Sequence, residues 1–231
     1  MASTKRKRKP HIPADLTSAA GRNRAHSELI WSDHGFLRTR FSNLHEIFQG
    51  VWRSNQPSPS QIRAHVDDRG IRTIINLRGE STKGYYLLEK EACSAANVTL
   101  IDFQVFSRDT PTSAAVLGAE DLFRNIEYPV LMHCKSGADR AGLMATLYSI
   151  FVQGHSVSTS IEQLSLKYLH VKQGKTGMLD AFFQAAIDAG ADSPDQFRHW
   201  VRTDYDRIQV KANFLKKQGR TLELDRLLGR E

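Results

Sequence analysis

Apolar and polar positions along the chain follow two alternating patterns, short β-branched runs and longer stretches with helical spacing. Strands are predicted at residues 43–54, 71–77, 98–105 and 129–133. Helices are predicted between them at residues 58–69, 84–96 and 112–126. Because strands that alternate with helices build parallel sheets covered on both faces, the pattern predicts an α/β fold with a central, mostly parallel sheet flanked by helices.

The second half of the chain is predicted to be helical throughout. Helices are expected at residues 141–153, 157–169, 176–189, 193–203 and 206–228. The first residues are polar and basic, which is typical of a flexible tail. The sequence therefore predicts a basic tail at residues 1–24 and one domain at residues 25–231 that ends in a helical extension.

Composition is ordinary for a globular protein, with 40% apolar and 25% charged residues. Two cysteines in 231 residues do not make a disulfide framework, so a reducing compartment is expected. No apolar run reaches the length of a membrane span, and no apolar stretch follows the basic N-terminus as in a secretory signal. These features predict a cytoplasmic protein.

The positive charge is concentrated at the N-terminus. Five of the seven positive charges in the net balance come from the run Lys5 to Lys9, so the rest of the chain has a net charge of only +2. A nucleic acid is therefore an unlikely partner. The run is expected to be a solvated arm. The alternative is that it binds an anionic membrane surface, which would place the protein peripherally at a membrane, or a nucleic acid.

Residues 133–140 carry the clearest chemical signal. Five residues separate Cys134 from Arg140, in a glycine-containing loop between a predicted strand and a predicted helix. Such a loop aims several backbone N–H groups at one point, which suits a phosphate dianion. The planar guanidinium of Arg140 would bind two phosphate oxygens, and it would also favour the thiolate form of Cys134. A phosphate and a nucleophile would then share one cradle.

This loop resembles the signature of cysteine-dependent phosphatases of the protein tyrosine phosphatase superfamily, and the bacterial dual-specificity-like branch is the closer match. Residues 51–59 and 74–80 also resemble segments of that branch, and the resemblance extends over roughly residues 44–170. It implies a protein tyrosine phosphatase-like fold and hydrolysis of phosphomonoesters through a cysteinyl-phosphate intermediate. It also implies that no metal or other cofactor takes part, because the arginine and the loop neutralise the anion.

The resemblance implies a role for each residue of the loop. Cys134 is the expected nucleophile, Arg140 binds the phosphate oxygens, and His133 orients the loop through hydrogen bonds. The other expected substrate-binding residues are Lys135, Ser136, Gly137, Ala138 and Asp139. Ala141 departs from the family pattern, because many members have a Ser or Thr there whose hydroxyl helps to expel the thiolate. Slower breakdown of the intermediate is expected unless water or Ser136 substitutes.

A general acid must protonate the leaving oxygen. The family takes an Asp from the loop that follows the preceding strand, and Asp109 lies in such a loop at residues 107–111. Asp109 is therefore the first choice. Asp102, within the predicted strand, and Asp139, within the cradle, are the alternatives. Asp139 could equally orient the loop by accepting N–H bonds.

The expected substrate is a phosphorylated protein, as for a tyrosine or dual-specificity phosphatase. A lipid or inositol phosphate is the alternative, and it is motivated by Lys135, Asp139 and the basic tail. A non-catalytic phosphate-binding protein is the third hypothesis. It is motivated by Ala141 and the open choice of acid, and the intact cysteine and arginine argue against it.

Overall fold

The computed structural model of the chain describes residues 15–38 and 40–227, and side chains up to residue 219. The strands are β1 (His45–Phe48), β2 (Val51–Ser54), β3 (Thr73–Asn76), β4 (Thr99–Asp102) and β5 (Val130–His133). The helices are α1 (Ala19–Ser27), α2 (Gly35–Arg38), α3 (Pro59–Arg69), α4 (Gly84–Ala95), α5 (Ser113–Asn125), α6 (Asp139–Phe151), α7 (Val157–Ser160), α8 (Met178–Asp188), α9 (Pro194–Thr203) and α10 (Arg207–Leu227). A π-helical turn at Glu28–Ser32 and 3-10 turns at Ile161–Gln163, Leu166–Tyr168 and Lys175–Gly177 complete the helical segments.

The five strands form one sheet in the order β1-β2-β5-β3-β4. β2, β5, β3 and β4 are parallel, and β1 joins β2 as an antiparallel edge strand. The α/β class and the mostly parallel sheet are thus confirmed. β5 is the central strand, and its last residue, His133, lies in register with Ser54 of β2 and Asn76 of β3. The segment that follows β5 therefore begins where the carboxyl ends of three strands meet, the usual ligand edge of such sheets.

Side chains of β5 alternate between two apolar clusters, one on each face of the sheet. Val130 and Met132 pack into the larger cluster, which includes buried residues of α5, α6, α8 and α9. Leu131 packs with residues of α3, α4 and β3 on the other face, among them Cys93. Every residue of α6 from Ala141 to Phe151 is buried. The first turn of α6 is therefore held rigidly behind the end of β5.

Helix starts follow the capping signals in the sequence. The Ser58 hydroxyl accepts from the Gln61 N–H, and the Gln61 side chain accepts from the Ser58 N–H, so α3 begins with a capping box. Thr112 caps α5 through a hydrogen bond from Ala115. Ser193 forms a second capping box ahead of α9. These local rules explain why most predicted helices begin within two residues of the observed positions.

The predicted single helix at residues 157–169 is wrong. α7 ends at Ser160, and two 3-10 turns lead to Leu169, whose φ is +65°. Serine hydroxyls compete with the backbone for hydrogen bonds, and the Ser160 hydroxyl donates to the Ser156 carbonyl. The break in the helix matters for the site, because it delivers the following residue, His170, into the protein interior.

The N-terminal part of the predicted tail lies outside the described residues, including the run Lys5 to Lys9. Residues 19–24 were also assigned to the flexible tail, but they form the start of α1 instead. The Ser18 hydroxyl caps this helix, and Arg22 binds Glu91 of α4 through two hydrogen bonds. The division into tail and domain otherwise stays a prediction. No helix in the described part of the chain is long and apolar enough to cross a membrane.

Candidate active site

The loop between β5 and α6 wraps around the sulfur of Cys134. Cys134 directly follows β5 and is 2% exposed, and α6 begins five residues later at Asp139. The Gly137 N–H donates a hydrogen bond to Cys134 Sγ over 3.3 Å. The strand, the loop and the helix are therefore arranged as the sequence predicts, with a backbone donor aimed at the thiol.

Gly137 is required at its position on two grounds. Its φ of +75° lies in the left-handed region, which side chains disfavour. A Cβ atom on Gly137 would also lie 2.7 Å from the Asn55 nitrogen and the Ser54 carbonyl carbon. The loop thus passes so close to the end of β2 that no side chain fits between them.

Arg53 of β2 is a buried support for this loop that the sequence reasoning did not identify. Its guanidinium donates to the carbonyls of Gly137 and Ala138 over 2.9 and 2.7 Å, and to the Gln163 carbonyl over 2.8 Å. It also stacks over the Tyr168 ring at 4.1 Å. Burial lowers the pKa of Arg53 to about 10, so the group remains a cation at neutral pH. A charged residue within a predicted strand, directly after Val51 and Trp52, was the available signal.

The loop carbonyls are turned outward. Arg53 binds two of them, Asn43 Nδ2 donates to the Ser136 carbonyl over 2.9 Å, and the Gln56 N–H approaches the Lys135 carbonyl at 3.5 Å. In a trans peptide the N–H points opposite to the carbonyl. Holding the carbonyls of residues 135–138 from outside therefore turns the N–H groups of residues 136–139 to the inner side of the loop, where an anion would bind.

His133, the residue before the cysteine, belongs to a buried polar chain. His133 Nε2 lies 2.5 Å from Glu89 Oε1 of α4, at ion-pair distance but without the alignment of a hydrogen bond. Glu89 accepts from Gln56 Nε2 over 2.8 Å, and Gln56 Oε1 accepts from Arg78 Nη1 over 2.8 Å. Neither ring nitrogen of His133 has a hydrogen-bond partner among the described residues, so its expected role in orienting the loop through hydrogen bonds stays a prediction.

The same chain continues to Lys135 on the other side of the cysteine. Arg78 binds both carboxylate oxygens of Asp33 at 2.8 and 2.7 Å, and Lys135 Nζ lies 3.7 Å from Asp33 and 3.4 Å from His34 Nδ1. Burial would raise the pKa of Asp33, but Arg78, Arg38 and Lys135 hold it below its ordinary value. Asp33 therefore stays ionised and draws Lys135 toward the N-terminal segment.

Asp109 and Arg140 line the same cleft, which has a volume of about 410 Å³. Its lining residues are Val105, Phe106, Ser107, Arg108, Asp109, Arg140 and Arg207. The loop after β4 thus brings the first-choice acid to the arginine of the cradle, although thirty residues lie between them in the sequence.

Two cations of α10 bind the Asp109 carboxylate. Arg207 Nη2 lies 2.5 Å from Oδ2, Lys211 Nζ lies 3.1 Å from Oδ1, and the Thr110 N–H donates to Oδ1 over 2.9 Å. Burial tends to raise the pKa of Asp109, but the hydrogen bond from Lys211 and the two positive charges outweigh it and lower that pKa. In this arrangement the group is a carboxylate, and it can hold a proton only when these contacts loosen.

The two alternative acids are engaged elsewhere. Asp102, at the end of β4, accepts from Asn76 Nδ2 over 2.8 Å and from the Tyr86 hydroxyl over 2.6 Å. Burial and this bond to Asp102 raise the pKa of Tyr86, which keeps the hydroxyl protonated as a donor. Asp139 Oδ1 lies 2.8 Å from Nδ1 of the buried His170. Both carboxylates therefore have fixed partners within the fold.

Two further features bear on the chemistry of the cradle. Ala141 is fully buried directly after Arg140, and the exposed Ser136 is the nearest hydroxyl in the loop sequence, where it accepts from the Ala138 N–H at 3.4 Å. Among the described residues, no group of three or more His, Cys, Asp and Glu side chains is arranged to hold a metal ion.

Comparison with known sequences identifies a family. The family described as "DSP-PTPase phosphatase fused to NAD+ Kinase" matches residues 41–189. The dual specificity protein phosphatase TpbA of Pseudomonas aeruginosa is 50% identical to this chain over 124 residues. That alignment covers 53% of this chain and 53% of TpbA, so the chain spans about half the length of the curated relatives it matches.

Solved structures show the same fold. The crystal structure of Pseudomonas aeruginosa TpbA aligns with a TM-score of 0.54 and 22% identity, over 70% of this chain and 92% of the other. A complex of TpbA with pTyr aligns with a TM-score of 0.54 and 20% identity, over 70% and 91% of the two chains. At this identity the likeness concerns the fold alone.

Proposed function

Because the chain belongs to the family of DSP-PTPase phosphatases that its residues 41–189 match, we propose that it hydrolyses phosphomonoesters through a cysteinyl-phosphate intermediate. One observation carries the proposal. The Gly137 N–H points at Cys134 Sγ inside a loop whose carbonyls at residues 135–138 are held from outside, so the inner side combines a thiol with backbone donors. That combination suits a nucleophile and its phosphate substrate.

The proposed first step forms a sulfur–phosphorus bond and breaks the bond between phosphorus and the ester oxygen. The Cys134 thiolate attacks, Arg140 and the loop N–H groups stabilise the charge on the three equatorial oxygens, and Asp109 gives its proton to the leaving oxygen. In the second step water attacks phosphorus, its proton passes to Asp109, and Cys134 leaves as thiolate. Ala141 supplies no hydroxyl for this departure, so hydrolysis of the intermediate is expected to be the slower step.

A phosphorylated protein is the proposed substrate class. The support comes from the relative in Pseudomonas aeruginosa, which is named a dual specificity protein phosphatase. A lipid or inositol phosphate is the other candidate. Two of the residues that favour a lipid or inositol phosphate already have partners within the protein. Lys135 lies near Asp33 and His34, and Asp139 binds His170. A thiol nucleophile also fits the predicted reducing, cytoplasmic compartment, and membrane contact through Lys5 to Lys9 stays a prediction.

Release of phosphate from a small aryl phosphate in the presence of a chelator tests the reaction type. We expect turnover by the wild type, and its loss in Cys134→Ser and in Arg140→Lys, because a lysine cannot bind two oxygens side by side. Cys93→Ala is the matched control, since Cys93 is buried in the cluster on the other face of the sheet. Acid quenching followed by mass spectrometry should find phosphate on the peptide that contains Cys134.

Parallel assays with a phosphotyrosyl peptide and an inositol phosphate separate the two substrate classes by their kcat/KM values. If the wild type releases phosphate from none of these esters but binds inorganic phosphate, the chain is a phosphate-binding protein and the enzymatic proposal is wrong. If turnover persists in Cys134→Ser, the covalent mechanism is wrong even though the activity is present.

A further inference from the structure

His170 lies between two carboxylates at the back of the cradle. Its Nδ1 is 2.8 Å from Oδ1 of Asp139, and its Nε2 is 2.6 Å from Oδ2 of Asp180. The ring is 0% exposed. Asp139 is the first residue of α6 and precedes Arg140, and Asp180 lies in the first turn of α8. The ring thus ties the phosphate loop to the helical second half of the chain.

The geometry requires a charged ring. An ionised carboxylate only accepts hydrogen bonds, so both ring nitrogens of His170 must carry a proton if both contacts are hydrogen bonds. Burial opposes this charge, but the bonds to Asp139 and Asp180 outweigh it and raise the pKa of His170 to about 9. At neutral pH the group is therefore an imidazolium with one carboxylate on each side.

The carboxylate of Asp139 would otherwise oppose the binding of a phosphate. The N-terminus of a helix attracts anions, and Asp139 places a competing negative charge in the first turn of α6, within the loop itself. The charged groups around this cluster are Arg53 on β2 and Lys172, whose Nζ lies 3.4 Å from Asp180 Oδ1. Only the imidazolium is within hydrogen-bond distance of Asp139 among these described groups.

We propose, on the basis of the phosphatase function proposed above, that His170 is a positioning residue of the cradle. Its imidazolium neutralises Asp139 and fixes that carboxylate away from the phosphate. Asp139 then orients the first turn of α6 and does not act as the general acid.

The path of the chain before His170 supports this role. After α7, three residues of the segment 163–170 contact the loop or its supports. The Gln163 carbonyl accepts from Arg53, the Tyr168 ring stacks under the same guanidinium, and His170 binds Asp139. The positive φ of Leu169 turns the chain so that the last contact can form. One irregular segment therefore holds both the outer side of the loop and its helical end.

A charge-neutralising role and a purely structural role predict opposite outcomes for a double variant. The variants are His170→Gln, Asp139→Asn and the two combined, with His155→Gln as control. His155 is also bonded through Nδ1, to the Ser149 hydroxyl at 3.1 Å, but it lies beyond the far end of α6. The measurements are the inhibition constant of inorganic phosphate, kcat and KM for an aryl phosphate, and the thermal midpoint of unfolding.

In His170→Gln the inhibition constant of phosphate is expected to rise roughly tenfold, with a larger change in KM than in kcat, because a full charge beside the anion is no longer neutralised. Asp139→Asn removes the negative charge, so its own inhibition constant is the reference for the double variant. The double variant should lie within about threefold of that reference, since it has no charge left to neutralise. An unchanged constant in His170→Gln, or a double variant as weak as the single one, would overturn the proposal.

A second measurement does not depend on the folding of a His170 variant. Phosphate affinity is measured by calorimetry between pH 7 and pH 10 in Cys134→Ser, where the thiol no longer titrates. Affinity should fall as the imidazolium loses its proton near pH 9, and Cys134→Ser/Asp139→Asn should show no such fall. Equal pH profiles would contradict the inference. Absence of turnover in the wild type would instead contradict the proposed function. The phosphate-binding measurements do not depend on turnover, so the two proposals can fail separately.

Discussion

Two aspartates flank the cradle, and both are bound by cations, but their surroundings differ. Asp109 is held by Arg207 and Lys211, whose side chains are 39% and 43% exposed. Asp139 is held by His170, whose ring is completely buried and carries a second carboxylate on its other side. The ion pairs of Asp109 lie at the surface, between a loop and α10. The contacts of His170 join α6 to α8.

The difference would let one residue type serve the two purposes proposed above. Ion pairs at the surface contribute little free energy because water and salt compete with them, so Asp109 can separate from its partners and accept a proton. In the second pair the His170 ring is completely buried and the Asp139 carboxylate is 23% exposed, so water competes less for this contact, and removing the ring leaves an uncompensated charge. Asp109 is therefore suited to proton transfer and Asp139 to fixed orientation.

The largest expected effect separates the two aspartates by their kinetics. For an ester with a poor leaving group, Asp109→Asn should lower kcat by roughly 10²- to 10⁴-fold, the usual contribution of a general acid. Asp139→Asn should change kcat by less than about threefold. With a good leaving group, which needs no proton, the Asp109→Asn defect should largely disappear. A comparable loss in Asp139→Asn, again dependent on the leaving group, would make Asp139 the acid.

The next effect concerns stability, measured by urea denaturation at pH 7. His170→Gln should lower the free energy of unfolding by about 3 kcal/mol, because it leaves the Asp139 carboxylate without its hydrogen-bonded cation and leaves Asp180 with only the exposed Lys172. Arg207→Gln removes a half-exposed partner of Asp109 and should cost less than about 1 kcal/mol. Equal losses in the two variants would mean that the two ion pairs do not differ in the way that their burial indicates.

The sequence predicted the sheet, the loop and most helices because these depend on local rules. β-branched runs, capping serines and the spacing from Cys134 to Arg140 are readable without knowledge of distant contacts. The loop motif also supplied the family resemblance, which the match over residues 41–189 confirms. These signals lie within short segments, so a pattern of neighbouring residues is sufficient to recognise them.

The supports of the site could not be predicted, because their partners are far away along the chain. Arg53 binds carbonyls more than eighty positions later, and His170 meets Asp139 only because the predicted helix at residues 157–169 is interrupted. A histidine between apolar residues gives no sign of which carboxylates will surround it. Asp109 was chosen from its loop, but its two cations on α10 depend on how that helix packs.

The pH dependence of stability should sharpen the contrast further. The pKa of His170 is raised in the folded state to about 9, from an ordinary value of 6.5. A raised pKa contributes stability fully below pH 6.5, and that contribution is lost as the pH rises through about 9. The difference in unfolding free energy between wild type and His170→Gln should therefore shrink by about 3 kcal/mol between pH 6.5 and pH 9.5. A difference that stays constant over this range would show that the ring is neutral in the folded protein.

The smallest expected effect concerns the surface ion pairs of Asp109 with Arg207 and Lys211. Because Lys211 and Arg207 lower the pKa of Asp109, they reduce the fraction of that group which carries a proton to donate. Lys211→Gln should therefore raise kcat/KM for a poor leaving group near pH 6 by roughly two- to threefold, with Lys216→Gln on the same helix as control. Added salt should produce a similar gain in the wild type and little further gain in Lys211→Gln. A fall in activity would mean instead that α10 holds the acid loop in its working position, and that the surface pair, like the buried one, serves orientation.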